Sequence, residues 1–451
     1  MSAAEAPVTT GTAWAAPVLP PPTRSAALAV ARNVLARCSE PARMKASLAA
    51  ARDQTGFPRS VYWEPAGIAQ GDAGLALMAG YAEAVFPGEG WELVAHERMT
   101  AALRGAEEAH WLPAGLFSGL GGLVFTASYL SRAGERYSRA IAALDRAFLP
   151  AVTVHAERLR RLTGGVSVAE FDVISGLSGS VAALLERRAL RADEPVERVL
   201  EQALRALVEL VEEGEGLPRW YTPPEEMADE TWERLYPQGN LNCGLAHGIP
   251  GPLSAMAMAC REGADVPGLA NAVASVAAWL AGNRADDAWG INWPSAVSVG
   301  AEHPDGPSRA AWCYGAPGVA RALWLAGDAL ADEELQAIAV EGMKAVYRRP
   351  LAERAIDSPT FCHGVAGLLQ VTTRFAHDTG LPVFADAADA LVGQLLDAYD
   401  GTRLLGYATL EPGDHPVDQP GLLDGAPGVA LALLAAATAT EPVWDRAFML
   451  S

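Results

Sequence analysis

Seven times along this chain a pair of glycines three residues apart opens a strongly apolar segment, and this repeat limits the possible folds more than any other feature. The pairs are Gly71/Gly74, Gly119/Gly122, Gly176/Gly179, Gly248/Gly251, Gly315/Gly318, Gly364/Gly367 and Gly425/Gly428. Successive first glycines lie roughly 50 to 70 residues apart, which is room for two helices and their connections. Each pair leads into a segment that is apolar all round, as in Gly74-Leu75-Ala76-Leu77-Met78 or Val429 to Leu434. Between pairs the chain is amphipathic. Val196, Val199, Leu200, Ala203, Leu204, Leu207, Val208 and Val211 form one such stripe, with Glu and Arg opposite.

A helix that is apolar on every side must be buried, and an amphipathic one must cover it. Seven alternations predict an all-α fold, an (α/α) toroid of seven inner and seven outer helices. A solenoid would satisfy the same pairwise packing but needs polar capping repeats, and none is evident. Closure puts all seven turns at one end of the inner ring, so the residues just before them converge on one cavity. Residues 1–23, rich in Ala, Pro and Thr and ending in Pro20-Pro21-Pro22, read as an extended arm. The helical pattern starts near Ser25, and residues 24–451 read as one toroidal domain. Two longer connections, 214–240 and 284–308, carry Trp220, Tyr221, Trp232, Tyr236, Trp289 and Trp293. They suit either loops over the cavity mouth or packed surface loops.

The residues in front of the glycines differ from turn to turn. Gln70 and Ser118 precede the first two, Ser175 the third behind Phe171-Asp172, His247 the fourth, Cys313-Tyr314 the fifth, Cys362-His363 the sixth and Asp424 the seventh. Cys313, Cys362 and His363 on equivalent turns suggest zinc held by two thiolates and one imidazole, with a fourth tetrahedral position free, as in catalytic sites. Free N–H groups and the dipole of a helix start would favour those thiolates. His247 on a matching turn is an acid/base candidate. Asp172 equally suits a helix cap, and Arg309 a surface arginine. Cys38, Cys243 and Cys260 read as core residues, although Cys243 as a fourth ligand would close the site.

Lys+Arg 34 against Asp+Glu 54 gives a net charge of -20. That argues against nucleic acid or an anionic membrane surface as partner. No run of about 18 apolar residues predicts a membrane span. Five sparse cysteines do not form a disulfide framework, and the start resembles no signal peptide, so the expectation is a reducing, cytoplasmic protein.

Three motifs together, Gly244-Leu245-Ala246-His247-Gly248, Trp312-Cys313-Tyr314-Gly315 and Cys362-His363-Gly364, resemble those of the lanthionine synthetase C-like family, the cyclases of lanthipeptide biosynthesis. The glycine repeats extend the resemblance over roughly residues 60 to 435. It implies a sevenfold α/α toroid holding one zinc per chain, with Cys313, Cys362 and His363 as ligands and His247, Asp172, Arg309 and Tyr314 around the metal. It implies intramolecular addition of peptide cysteine thiolates to dehydroalanine or dehydrobutyrine, forming thioether rings. The partner would be a dehydrated precursor peptide supplied by a separate dehydratase, with an exporter downstream. Rival readings are a non-catalytic, zinc-containing peptide-binding scaffold, a prenyltransferase-like thiol alkyltransferase, and thiol addition with glutathione.

Overall fold

The structure is a computed structural model that describes residues 14, 16–131, 136–212, 216–227, 229–300 and 305–451. Most of the arm expected over residues 1–23, with parts of both long connections, therefore lies outside the described residues. In chain order the helices are α1 (Pro21–Ser39), α2 (Pro41–Gln54), α3 (Asp72–Val85), α4 (Trp91–Glu108), α5 (Leu120–Leu130), α6 (Ser138–Arg161), α7 (Leu177–Leu190) and α8 (Glu194–Leu210). They continue with α9 (Glu230–Leu235), α10 (Pro250–Arg261), α11 (Leu269–Gly282), α12 (Ala316–Leu330), α13 (Glu333–Arg348), α14 (Val365–Thr379), α15 (Pro382–Asp397) and α16 (Ala426–Ala437). Helix α1 begins at Pro21, before the expected Ser25, because proline suits the first helical positions, where its missing N–H costs nothing.

Among the described residues seven helices form an inner ring: α3, α5, α7, α10, α12, α14 and α16, each touching the next, and α16 closing on α3. Each has an outer partner: α4, α6, α8, α11, α13 and α15 in order, and α1 on α16. The first helix of the chain thus covers the last inner one. Burial follows the sequence pattern: all twelve residues of α16 are buried, whereas α8 buries the stripe from Val196 to Val208 and exposes its charged side. Transfer of that stripe from water supplies the packing energy, about 1.5–3 kcal/mol for each large side chain.

The glycine pairs have a specific mechanical cause. Before α3, α5, α7, α10 and α14 the loop curls back so that its carbonyls accept N–H groups from seven residues on, as in Val365 to Ser358 (2.9 Å), Ala366 to Pro359 (3.2 Å) and Leu120 to Pro113 (2.8 Å). These helices have no side-chain cap; the loop itself satisfies their orphan donors. The curl leaves no space for a Cβ. A side chain at Gly364 would collide with the Ser358 carbonyl, and one at Gly367 with that of Phe361. Gly315 is further constrained by a φ of +88°.

Backbone hydrogen bonds tie the seven loops into a closed circle. The residue two before each first glycine is the usual link: Ala69 donates to Phe117, Phe117 to Ile174, Ala246 to Cys313, Cys313 to Cys362, Cys362 to Leu423 and Leu423 to Ala69, while Val173 bridges to Ala246. All seven turns therefore share one end of the barrel. The opposite side of these turns is filled by the C-terminal 3-10 turn Val443–Phe448, whose Phe448 ring lies 4.3 Å from Phe361 and 5.3 Å from Trp312. Trp312 Nε1 donates to the Phe448 carbonyl at 2.9 Å.

Short strands β1 (Asn240–Asn242) and β2 (Ala296–Ser298) pair antiparallel and join the two long connections; β3 (Thr409–Glu411) pairs with β4 (His415–Val417).

Candidate active site

The hydrogen-bonded circle sets Cys313 and Cys362 side by side, at one position of adjacent turns. Their thiols hydrogen-bond to each other, which is the largest influence on both. Cys313 is held below the ordinary thiol range, helped by the charges of Arg309 and His247, while Cys362 is pushed well above it. The pair thus gives up one proton readily and the second reluctantly. At α14 the first helical donors, expected to be free, are taken by the loop carbonyls of Ser358 and Pro359.

Of the residues immediately before the glycines, Ser175, His247 and Tyr314 line one cavity. Cys362, His363 and Asp424 place their ligand atoms within 4.8 Å of one another. Cys313, expected as a ligand, is not in that group, although its thiol meets that of Cys362; together the two thiols, the imidazole and the carboxylate are a donor set of the kind that suits zinc. Cys243 does not join them. It is fully buried, its Sγ turned to the Leu241 carbonyl at 3.5 Å and its thiol pushed far up by burial.

His247 approaches from the fourth turn. Its Nδ1 lies 2.7 Å from Asp172 Oδ2, and the imidazole is 41% exposed over a carboxylate only 2% exposed. Asp172 Oδ1 also accepts the Ser175 and Gly176 N–H groups, both at 2.7 Å. One side chain therefore both fixes the turn and orients the imidazole. Burial opposes protonation of His247, but the hydrogen bond and charge of Asp172 prevail and its pKa is raised.

Tyr314 receives a hydrogen bond from Asn242 Nδ2 at 3.2 Å. Burial and the negative charges around it push its phenol well up, so it remains protonated. Arg309 is exposed and acts on both thiols by charge alone.

A cavity of about 400 Å³ opens beside His247, Asp172 and Tyr314, walled by Thr222, Met227 and Trp232. Trp232 stacks on Tyr236 at 5.3 Å and leans on Tyr314 at 5.9 Å. The first long connection is thus a wall of the cavity. The second braces it through β2, with Trp293 fully buried.

Asp424 is the residue given least weight by sequence. Its signal is positional: it occupies in the seventh turn the place of His363 in the sixth. Burial lifts its carboxyl above the usual range against the pull of His363.

A closed double ring of helices, with two thiols, an imidazole and a carboxylate on the turns at one end, defines an (α/α) toroid bearing a candidate metal site. The chain belongs to the lanthionine synthetase C-like protein family, which matches residues 62–449. It is 28% identical over 220 residues to the nisin biosynthesis protein NisC of Lactococcus lactis subsp. lactis, over 46% of this chain and 49% of that protein. In that alignment the chain spans about half the length of this curated relative. Its fold matches a solved nisin cyclase with a TM-score of 0.72 and 21% identity, covering 90% of this chain and 96% of the other. Among the described residues no helix is long and apolar enough to cross a membrane.

Proposed function

We propose that this protein is a zinc-dependent lanthipeptide cyclase that adds cysteine thiolates of a dehydrated peptide to dehydroalanine or dehydrobutyrine residues of the same peptide. The observation that carries the reading is the meeting, on one circle of turns, of the Cys313–Cys362 thiol pair, His363 and the Asp172-backed His247.

Cys313, Cys362 and His363 would hold the metal, which when bound supplies the positive charge that keeps a peptide cysteine ionised near neutral pH. The thiolate sulfur bonds to the β-carbon of the dehydro residue, and the electron pair moves to the carbonyl as an enolate. His247 delivers the proton to the α-carbon, and its raised pKa favours the charged form that the task needs. The proton lost by the thiol balances the one gained. Asp172 holds Nδ1, leaving the other ring nitrogen for the substrate. Arg309 offers positive charge to the developing enolate, and the protonated Tyr314 offers a hydrogen bond. Trp232 and Met227 give the peptide an apolar wall.

With the boundary moved to Pro21, where α1 begins, the rest of the chain would act as one cyclase domain behind the preceding arm, in the cytoplasm, after a separate dehydratase and before an exporter. The packing of α1 on α16 supports a single unit. The test is zinc content by elemental analysis together with thiol loss in a dehydrated, cysteine-containing peptide. About one zinc per chain with thiol consumption is expected; zinc without thiol consumption on a suitable peptide would favour a binding scaffold instead.

A further inference from the structure

Beside the imidazole the cavity has a polar wall that rests on paired main chain. Thr222 and Asn240 form an antiparallel bridge in which each N–H donates to the other's carbonyl at 3.0 Å. Residues directly opposed in such a bridge send their side chains to one face, and alternation along β1 puts Asn242 there too and Leu241 on the other side. Thr222, Asn240 and Asn242 accordingly line the cavity with His247 and Tyr314, and Leu241 does not. The two asparagines are used differently. Asn242 is committed: its Oδ1 accepts the Gly244 N–H at 2.9 Å and its Nδ2 donates to the Tyr314 hydroxyl at 3.2 Å. Asn240, 2% exposed, reaches the thioether of Met227, 3.8 Å from Nδ2, a weak acceptor. Among the described residues no protein group bonds to its Oδ1 or to Oγ1 of Thr222, itself 1% exposed. Buried polar groups in that state cost stability. The bridge is made by main chain alone, so leucine and valine of nearly the same shape would serve the fold without that cost.

We propose that Thr222 and Asn240 form a subsite that binds one backbone amide group of the substrate peptide next to the reacting residues. The peptide N–H donates to Asn240 Oδ1, and the peptide carbonyl accepts from the Thr222 hydroxyl. This rests on the cyclase reading above and deepens it, by naming the part of the substrate that this wall reads. Met227 gives up its contact with Asn240 as the peptide enters; it follows the short 3-10 turn Pro224–Glu226, and its unbranched side chain readily takes another rotamer. An amide group is common to every residue, so the two contacts position the chain against His247 whatever side chains it carries.

The test compares the full-length protein with the near-isosteric variants Asn240→Leu and Thr222→Val. Urea unfolding gives stability, and steady-state thiol consumption gives KM and kcat. The substrates are a dehydrated, cysteine-containing peptide and analogues of it in which single backbone amides beside the dehydro residue are replaced by esters. Both variants should be at least as stable as the wild type, and KM should rise by about tenfold, the loss of a buried hydrogen bond or two. In the wild type an ester at one position should raise KM by a similar factor, and in Asn240→Leu that same ester should cost nothing more. KM unchanged in both variants, or an ester penalty that persists in full in Asn240→Leu, would overturn the subsite alone. So would a clear loss of stability in both variants, which would make the pair structural. A wild type that consumes no thiol of the parent peptide would overturn the functional reading and the subsite together.

Discussion

The backbone N–H of Cys313 donates to the carbonyl of Cys362 at 3.3 Å, so two cysteines 49 positions apart in the chain are held as neighbours by main chain alone. Their side chains contribute the chemistry but not the placement. Replacing either one should therefore leave the fold intact.

Cys313→Ala and Cys362→Ala should each lose bound zinc and thioether formation while keeping the wild-type circular dichroism spectrum. Cys243→Ala should keep its zinc, because that thiol stands outside the donor group. Elemental analysis of the three variants decides the matter; zinc lost from Cys243→Ala would contradict the donor set described.

The raised pKa of His247 fixes a direction for pH dependence. The folded protein binds this proton more tightly than the unfolded chain. The stabilisation is full below the unfolded value, about 6.5, and vanishes as pH rises through the folded one. Activity that needs protonated His247 should fall over the same rise. In Asp172→Asn the imidazole titration followed by NMR should move to lower pH, and the alkaline limb of activity with it. An unmoved titration would refute the role given to Asp172. His247→Asn should lower turnover by about 10² to 10⁴.

Two glycines with positive φ separate backbone strain from crowding. At Gly380, φ is +65° and an added methyl would meet open space, so Gly380→Ala should cost about 1 kcal/mol. At Gly315, φ is +88° and the methyl would overlap the Arg309 carbonyl. Gly315→Ala should cost more than the roughly 1–3 kcal/mol of backbone strain alone. Equal losses in urea unfolding would mean that the curled loop is softer than its hydrogen bonds imply.

Asp445, fully buried, pairs with Arg374 at 2.6 Å and accepts from Gln370 at 2.7 Å, anchoring the C-terminal turn. Removing one member of such a pair leaves an uncompensated charge. Asp445→Ala should destabilise by about 3–5 kcal/mol in chemical denaturation, and a loss under about 1 kcal/mol would show that the turn is held by its aromatic packing instead.

Trp232→Ala removes the aromatic wall of the cavity without touching the proposed proton path. The KM for a dehydrated peptide should rise by about tenfold, some 1.4 kcal/mol, with kcat nearly kept. A fall in kcat alone would place Trp232 in the chemistry rather than in binding.

Much of the molecule is readable because the repeat labels equivalent positions. Once Gly248, Gly315 and Gly364 are aligned as turn starts, His247, Cys313, Cys362 and His363 fall on matching places, and apolar segments such as α16 can only be internal. What is not readable lies in the main chain. No residue type announces that Ser358 and Pro359 will cap α14 through their carbonyls, so sequence alone has the Cys362 thiolate leaning on helix N–H groups that are in fact occupied. The pairing of β1 with β2 depends on two three-residue strands, too short for a periodic signal. Asp424 is visible at the right position, but its convergence with Cys362 and His363 is a property of the folded surroundings alone.

The circle of hydrogen bonds also bears on when the site comes into being. Its last links run from Cys362 to Leu423 and from Leu423 to Ala69, a contact spanning most of the chain. During synthesis both cysteines emerge well before Leu423, yet the sixth turn has only the fifth beside it until the seventh has formed. Such distant closure is slow compared with local helix formation. Early metal capture by a half-made ring would be capture by loose thiols; the ordered centre, with His363 and Asp424 facing each other, belongs only to the closed circle.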